Sequence, residues 1–226
     1  MDTVSISELS DSAQNYLKII YGLQEWSSDP VTPSSIAQRA GMKLSTVSGA
    51  LAKLRQQDLL DHSPYGEVAL TERGRDFAVQ MVRRHRLIET FLVKMLGYRW
   101  DQVHEEADSL EHSVSDFMIE RMDQTLGYPT RDPHGDPIPA ADGTISFPEA
   151  YLLADAVAGS TVVIERISDA DSELLQHLQE NGVVIGAEVE ISGMDKFAET
   201  VEVRAESGTT VALGMAAAQA IWVSNP

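Results

Sequence analysis

The sequence contains no cysteine. That absence excludes disulfides, thiolate zinc sites and thiol redox sensing, so any bound metal must be held by carboxylates, imidazoles and amide oxygens. Long apolar runs are missing too. Nothing approaches the ~20 consecutive apolar residues of a membrane span, and the opening MDTVSISELSDSAQ is polar and acidic, unlike a secretory or transit segment. A cytoplasmic protein is expected. Positive charge is scarce, with 17 Lys+Arg against 35 Asp+Glu and a formal net charge of −18, which at first argues against a nucleic-acid partner.

The scarce cations are unevenly placed. Residues 1–99 hold 12 basic and 11 acidic residues, a net of +1, whereas residues 100–226 hold 5 and 24, a net of −19. A front half suited to a polyanion is joined to a back half suited to cations. With 226 residues and 43% hydrophobic content, the chain can form one large domain or two to three small ones.

Apolar groups at Tyr16, Leu17, Ile19, Ile20 and Leu23 follow the helical period behind Ser10, Asp11 and Ser12, which are candidate caps. Thr32-Pro33 offers an N-cap and a first-turn proline for a short second helix, which Gly41 stops. Ser45 is expected to cap a third helix, Thr46 to Gln57, with Val47, Leu51 and Leu54 inward. Together they form a helix-turn-helix. Leu59-Leu60 and Val68-Ala69-Leu70 flank the turn-forming Ser63-Pro64-Tyr65-Gly66, a small hairpin that makes the motif a winged helix. Residues 72–96 predict one long amphipathic helix and residues 101–125 another, a surface for pairing with a second copy. The Pro, Gly and Asp-dense segment 127–148 reads as a linker or an extended binding loop, not a core element. Beyond it TVVIERIS, AEVEISGM, ETVEVRAE and TTVALGM alternate as strands around one helix, SELLQHLQENG. The fold class is therefore α+β: a winged helix over residues 1–74, a helical dimerisation domain over 75–148, and a small β-barrel resembling a src-homology-three domain over 149–226.

The strongest chemical signal lies in 101–125. Stepping about 100° per residue, His104, Asp108, Glu111 and His112 share one face roughly 100° wide of a continuous helix. His85 and Glu89, spaced i,i+4, present an imidazole and a carboxylate side by side on the preceding helix. His134 and His177 are further candidates. A solvated acidic face is the bland alternative for any one of these residues; the combination points to metal.

The order of winged helix, RRHRLIETFL, VHEEADSLEHSVSD, DPHGDPIP and C-terminal barrel resembles the diphtheria toxin repressor family of metalloregulators, most closely its manganese-responsive branch. The resemblance spans nearly the whole chain. It implies a regulatory site of Asn15, Asp108, Glu111 and His112, and a second site of His85, Glu89 and His104 with Asp169 from the barrel and His134 from the loop. Iron-responsive relatives carry methionine at the position of Asn15 and manganese-responsive ones aspartate, so asparagine offers only a neutral amide oxygen, and either the site is weaker or Asp11, one turn earlier, assists. Oxygen donors at Asn15 and Asp108 make a hard site, which suits Mn²⁺ better than Fe²⁺. The implied partners are double-stranded operator DNA and a second copy of the chain.

For DNA, the reading helix offers Lys43, Ser45, Thr46 and Ser48 at its start, with Arg39, Lys53, Arg55 and Arg73 as further phosphate contacts. Gly49 cannot read a base, so backbone contacts and thymine-methyl packing are expected to outweigh bidentate readout. Two alternatives compete: a metal-dependent hydrolase using the same cluster, for which no nucleophile motif is present, and a winged-helix regulator answering to an organic ligand.

Overall fold

Ser10 accepts a hydrogen bond from the Ala13 amide and so starts the first helix, α1 (Asp11–Glu25). The computed structural model describes residues 6–61, 66–195 and 197–226, which divide into two compact units. The first comprises the chain to His85 with Glu111–Val114 and Pro139–Thr144; the second comprises Arg86–Leu110, Ser115–Ile138 and Ile145–Pro226.

In the first unit α1 is followed by α2 (Pro33–Arg39) and α3 (Leu44–Gln56). Thr32 caps α2 in a reciprocal capping box with Ser35, and Gly41, at φ +63°, makes the turn into α3. The expected Ser45 cap is corrected: α3 begins at Leu44 behind Lys43, with no side-chain cap, and Ser45 is already helical. Val47, Leu51 and Leu54 are buried, as the period requires. Among the described residues the wing shows one antiparallel bridge, Leu60 to Leu70, with the Asp61 amide on Ala69 O at 2.9 Å. Its turn at Ser63-Pro64-Tyr65 lies outside the described residues.

Helix α4 (Glu72–Leu96) matches its predicted bounds and contributes its first half, to His85, to the first unit and the remainder to the second. Arg83 donates to Pro139 O at 2.7 Å and Arg84 to Val114 O, which fastens both returning segments of the first unit to α4.

The single helix expected over 101–125 is corrected to two, α5 (Val103–Leu110) and α6 (Asp116–Thr125). Between them Glu111-His112-Ser113-Val114 forms a turn. Serine and β-branched valine are weak helix formers, and Ser115 accepts from the Met118 amide to start a new helix, so the ladder breaks there.

In the second unit, a six-stranded antiparallel sheet runs in the order β1-β6-β2-β3-β4-β5. Its strands are β1 (Tyr151–Leu152), β2 (Thr161–Ile167), β3 (Glu188–Asp195), β4 (Thr200–Ala205), β5 (Thr210–Gly214) and β6 (Ile221–Ser224), with helices α7 (Ser172–Glu180) and α8 (Met215–Ala218). The two shortest strands and α8 carry too little pattern to be read from sequence. Alternation buries Val162, Ile164, Val189, Ile191, Val201, Val203, Val211 and Leu213 in one core with Leu175 and Leu178 of α7.

The reading of 127–148 as a linker is also corrected. Asp132, His134, Asp136 and Ile138 are all buried. Arg86 donates to Pro137 O at 2.7 Å, Arg166 to Asp136 Oδ1 at 2.7 Å, and Gly135 turns at φ +90° where a Cβ would come within 2.1 Å of Glu165 O. Proline and glycine here build a tight buried turn, not a flexible tether.

Candidate metal centres and nucleic-acid interface

In the first unit, one face of α1 meets the turn that follows α5. Burial of Tyr16, Leu17 and Ile20 fixes the rotation of α1, and that rotation aims Gln14, Asn15 and Lys18 at Glu111 and His112. Lys18 Nζ donates to Glu111 Oε1 at 2.6 Å and lies 3.2 Å from His85 Nδ1, which is itself 2.6 Å from Glu111 Oε2. The Glu111 side chain is 0% exposed, so its charge needs these partners. His112 Nε2 is 2.8 Å from Asn15 Oδ1 and 3.6 Å from Glu111 Oε1, while its Nδ1 is 2.8 Å from Gln14 Oε1. An amide oxygen, a carboxylate and an imidazole nitrogen thus converge, a donor set that fits a hard divalent cation. Asp11 is exposed in the first turn of α1.

In the second unit, His104 of α5 lies between two carboxylates, with Nδ1 2.9 Å from Asp169 Oδ2 and 3.3 Å from Glu89 Oε1. Burial opposes charging this ring, but Asp169 and Glu89 outweigh it and raise its pKa to about 10. Asp108, half exposed, comes within 3.9 Å of His104 Nε2. His85 stands one helical turn before Glu89 on α4.

His134 is fully buried in the same unit. Its Nε2 donates to the Trp100 carbonyl at 2.8 Å, so in the neutral ring Nδ1 carries the lone pair, and Nδ1 has no hydrogen-bond partner among the described residues. That nitrogen faces Glu89 Oε2 at 3.9 Å. A bare imidazole nitrogen beside a buried carboxylate is an arrangement a cation would complete. Asp132 joins Glu89 and His134 with ligand atoms mutually within 4.8 Å. Burial, then the nearby Asp136 carboxylate, pushes the Asp132 carboxyl up to about 8.

Sequence reasoning missed Gln14, Lys18 and Asp132. The signal for Lys18 was a lysine one turn after Gln14 on a helix whose other inward residues are apolar. The signal for Asp132 was its place two residues before His134. His177 sits on α7, where its carbonyl accepts from Asn181 Nδ2.

The predicted DNA-facing residues share an exposed surface. Arg39, Lys43, Ser45, Thr46, Ser48 and Lys53 are all exposed, whereas Arg55 is half-buried and donates to Asp61 O. Met42 and Leu44, 55% and 50% exposed, stand beside them as apolar groups available to a groove. Arg73 lies over the Phe77 ring at 5.7 Å.

Comparison with known proteins agrees with this arrangement along the chain. The family description "Iron dependent repressor, N-terminal DNA binding domain" matches residues 8–68, "Iron dependent repressor, metal binding and dimerisation domain" matches 71–140, and "FeoA domain" matches 151–225. The iron-dependent repressor IdeR of Mycobacterium tuberculosis is 32% identical over 222 residues, covering 92% of this chain and 91% of that protein. The diphtheria toxin repressor of Corynebacterium glutamicum is 32% identical over 197 residues, covering 82% and 86%. Among solved structures, a manganese-dependent transcriptional repressor in complex with manganese superposes with a TM-score of 0.89 at 48% identity, covering 95% of this chain and all of the other. The manganese regulator SloR gives 0.80 at 31% identity, covering 96% and 100%.

Proposed function

The chain belongs to the family of the iron-dependent and diphtheria toxin repressors, which are metal-dependent transcriptional repressors, and from that premise we propose that manganese is its effector and operator DNA its target. The observation that carries this reading is the meeting of α1 with the turn at Glu111 and His112, where the donors are oxygen and imidazole nitrogen only. Asn15, Glu111 and His112 hold the regulatory ion, with Asp108, three residues before Glu111, as the fourth ligand. Glu89, His104 and Asp169, with His85 one turn before Glu89 and His134 from the buried loop, form the second centre. A bound Mn²⁺ supplies two positive charges and a fixed point of attachment. Iron, the effector named for relatives at 32% identity, is the alternative; the absence of sulfur donors among these ligands favours manganese.

The chain's own residues do the rest. Asn15 anchors the helix that leads into the reading head, and Glu111 and His112 anchor the segment that leads into the pairing helices. Tethering the two narrows the range of head-to-head spacings in a homodimer toward one that meets successive major grooves, about 34 Å apart or a multiple. Neutralised carboxylates also repel phosphate less. The division 1–74, 75–148 and 149–226 assigns one task to each part, DNA, metal with pairing, and a barrel that lends Asp169. Register shifts between Ile164 and Arg166 and between Ile191 and Gly193 are irregularities of the kind that let a sheet curl, which supports the src-homology-three-like barrel. Such a protein works in the cytoplasm. A hydrolase reading has no counterpart in the family.

Fluorescence anisotropy of a labelled operator fragment tests the proposal. Affinity should rise at least tenfold on adding Mn²⁺; the same affinity with Mn²⁺ and with chelator would end it.

A further inference from the structure

Gln14 is 5% exposed, and its amide orientation is determined by two backbone carbonyls. Its Nε2 donates to Ile6 O at 3.1 Å and to Leu9 O at 2.9 Å, and both of those atoms can only accept. The atom 2.8 Å from His112 Nδ1 is therefore Oε1, itself an acceptor only. It follows that Nδ1 carries the hydrogen. Turning the amide over would set Oε1 against two carbonyl oxygens and forfeit both donations.

We propose that Gln14 is the positioning residue of the regulatory centre, holding His112 as the Nδ1–H form so that Nε2, between Asn15 and Glu111, is the atom offered to a divalent cation. The inference rests on the metal-dependent reading above and adds to it the residue that prepares the ligand. An imidazole free to interconvert would present a protonated Nε2 part of the time and would be free to rotate about its side-chain bonds, and either lowers affinity without touching the metal. Ile6 to Leu9 is thereby drawn into the centre, because those carbonyls set the amide. With hydrogen on Nδ1 alone Nε2 accepts, so the metal-free form requires the Asn15 amide, whose near atom is 2.8 Å away, to present its Nδ2–H there and to turn its oxygen inward only for an ion.

The test uses the full chain with ¹⁵N-labelled histidine, observed through long-range ¹H–¹⁵N correlations in the metal-free protein at a pH where the ring is neutral. The unaltered chain should show hydrogen on Nδ1. Gln14→Met should show a mixture. Mn²⁺ affinity, read from the free-ion EPR signal, should fall about 10- to 100-fold in Gln14→Met, in line with the usual cost of losing an outer-sphere partner. Hydrogen on Nε2 in the unaltered chain, or unchanged affinity in Gln14→Met, overturns the proposal while leaving the repressor reading intact. Failure of the unaltered chain to take up Mn²⁺ overturns both.

Discussion

Lys18 Nζ and Glu111 Oε1 lie 2.6 Å apart, a lysine ammonium held against a carboxylate whose side chain is fully buried. The same ammonium approaches His85 Nδ1 at 3.2 Å. The protein therefore carries its own cation at the proposed regulatory centre, and an arriving ion must share Glu111 with it or displace it.

Lys18→Met should separate these roles. Without the ammonium a divalent ion meets less repulsion, and Mn²⁺ should bind roughly tenfold more tightly, a modest fraction of the Coulomb energy because the partly exposed lysine can retreat into water. Without its partner the buried carboxylate destabilises the metal-free fold by about 1–3 kcal/mol. Calorimetry should show a lower Tm without metal and a wider gap between metal-free and loaded Tm. Weaker Mn²⁺ binding in the variant would show that Lys18 supports the site instead of competing for it.

The two proposed centres are assigned different ligands, and because His85 of the second lies 2.6 Å from Glu111 of the first, the second is best tested at His104. Glu111→Gln should remove one Mn²⁺ equivalent per protomer and abolish the metal-dependent gain in operator binding. His104→Gln should remove the other equivalent and leave part of that gain. Elemental analysis after dialysis, paired with anisotropy, checks both. Loss of both equivalents in either single variant, or no further loss when the two substitutions are combined, would merge the centres into one.

Much of this was legible in the sequence because helical period and capping are local signals. Ile36, Val47, Leu51 and Leu54 are buried as their spacing required, and α4 begins and ends where its pattern does. The failure at 111–114 has a definite cause. Projecting His104, Asp108, Glu111 and His112 onto one ideal helix assumed an unbroken ladder, whereas Ser115 restarts the chain as α6 and leaves Glu111 and His112 on a turn. It is this turn, which the projection did not contain, that carries Glu111 and His112 to α1. Likewise Gln14 and Lys18 acquire their chemistry from partners some 95 residues away, contacts that no periodicity encodes. The burial of His134 was hidden because proline and glycine mark turns without saying whether the turn is exposed.

Gly135→Ala should show how tightly the DPHG turn is held. The methyl would approach Glu165 O at 2.1 Å from a backbone at φ +90°, so either strand β2 or the loop must move. A loss of about 3 kcal/mol or more in denaturant unfolding is expected, from strain and displaced contacts together. Because His134 would shift away from Glu89, Mn²⁺ stoichiometry should fall as well. Wild-type stability in this variant would mean that the turn is far looser than its burial indicates.

The reading head should betray its phosphate contacts through salt. Lys43 precedes α3 and Lys53 lies in its last turns, both exposed and neither within the buried face formed by Val47, Leu51 and Leu54. If each neutralises one phosphate, replacing either by alanine removes about one released counterion, and the slope of log affinity against log salt should become shallower by roughly 0.9 per lysine and protomer. The weakening should be uniform across operator variants, since phosphate contacts carry no base information. Thr46→Ala, by contrast, should alter the ranking of operators more than the slope if its methyl packs on a groove. Manganese affinity should be unchanged in all three variants, which keeps the reading surface distinct from the metal centres. An unaltered salt slope in Lys43→Ala and Lys53→Ala would move the DNA contact off this face of α3.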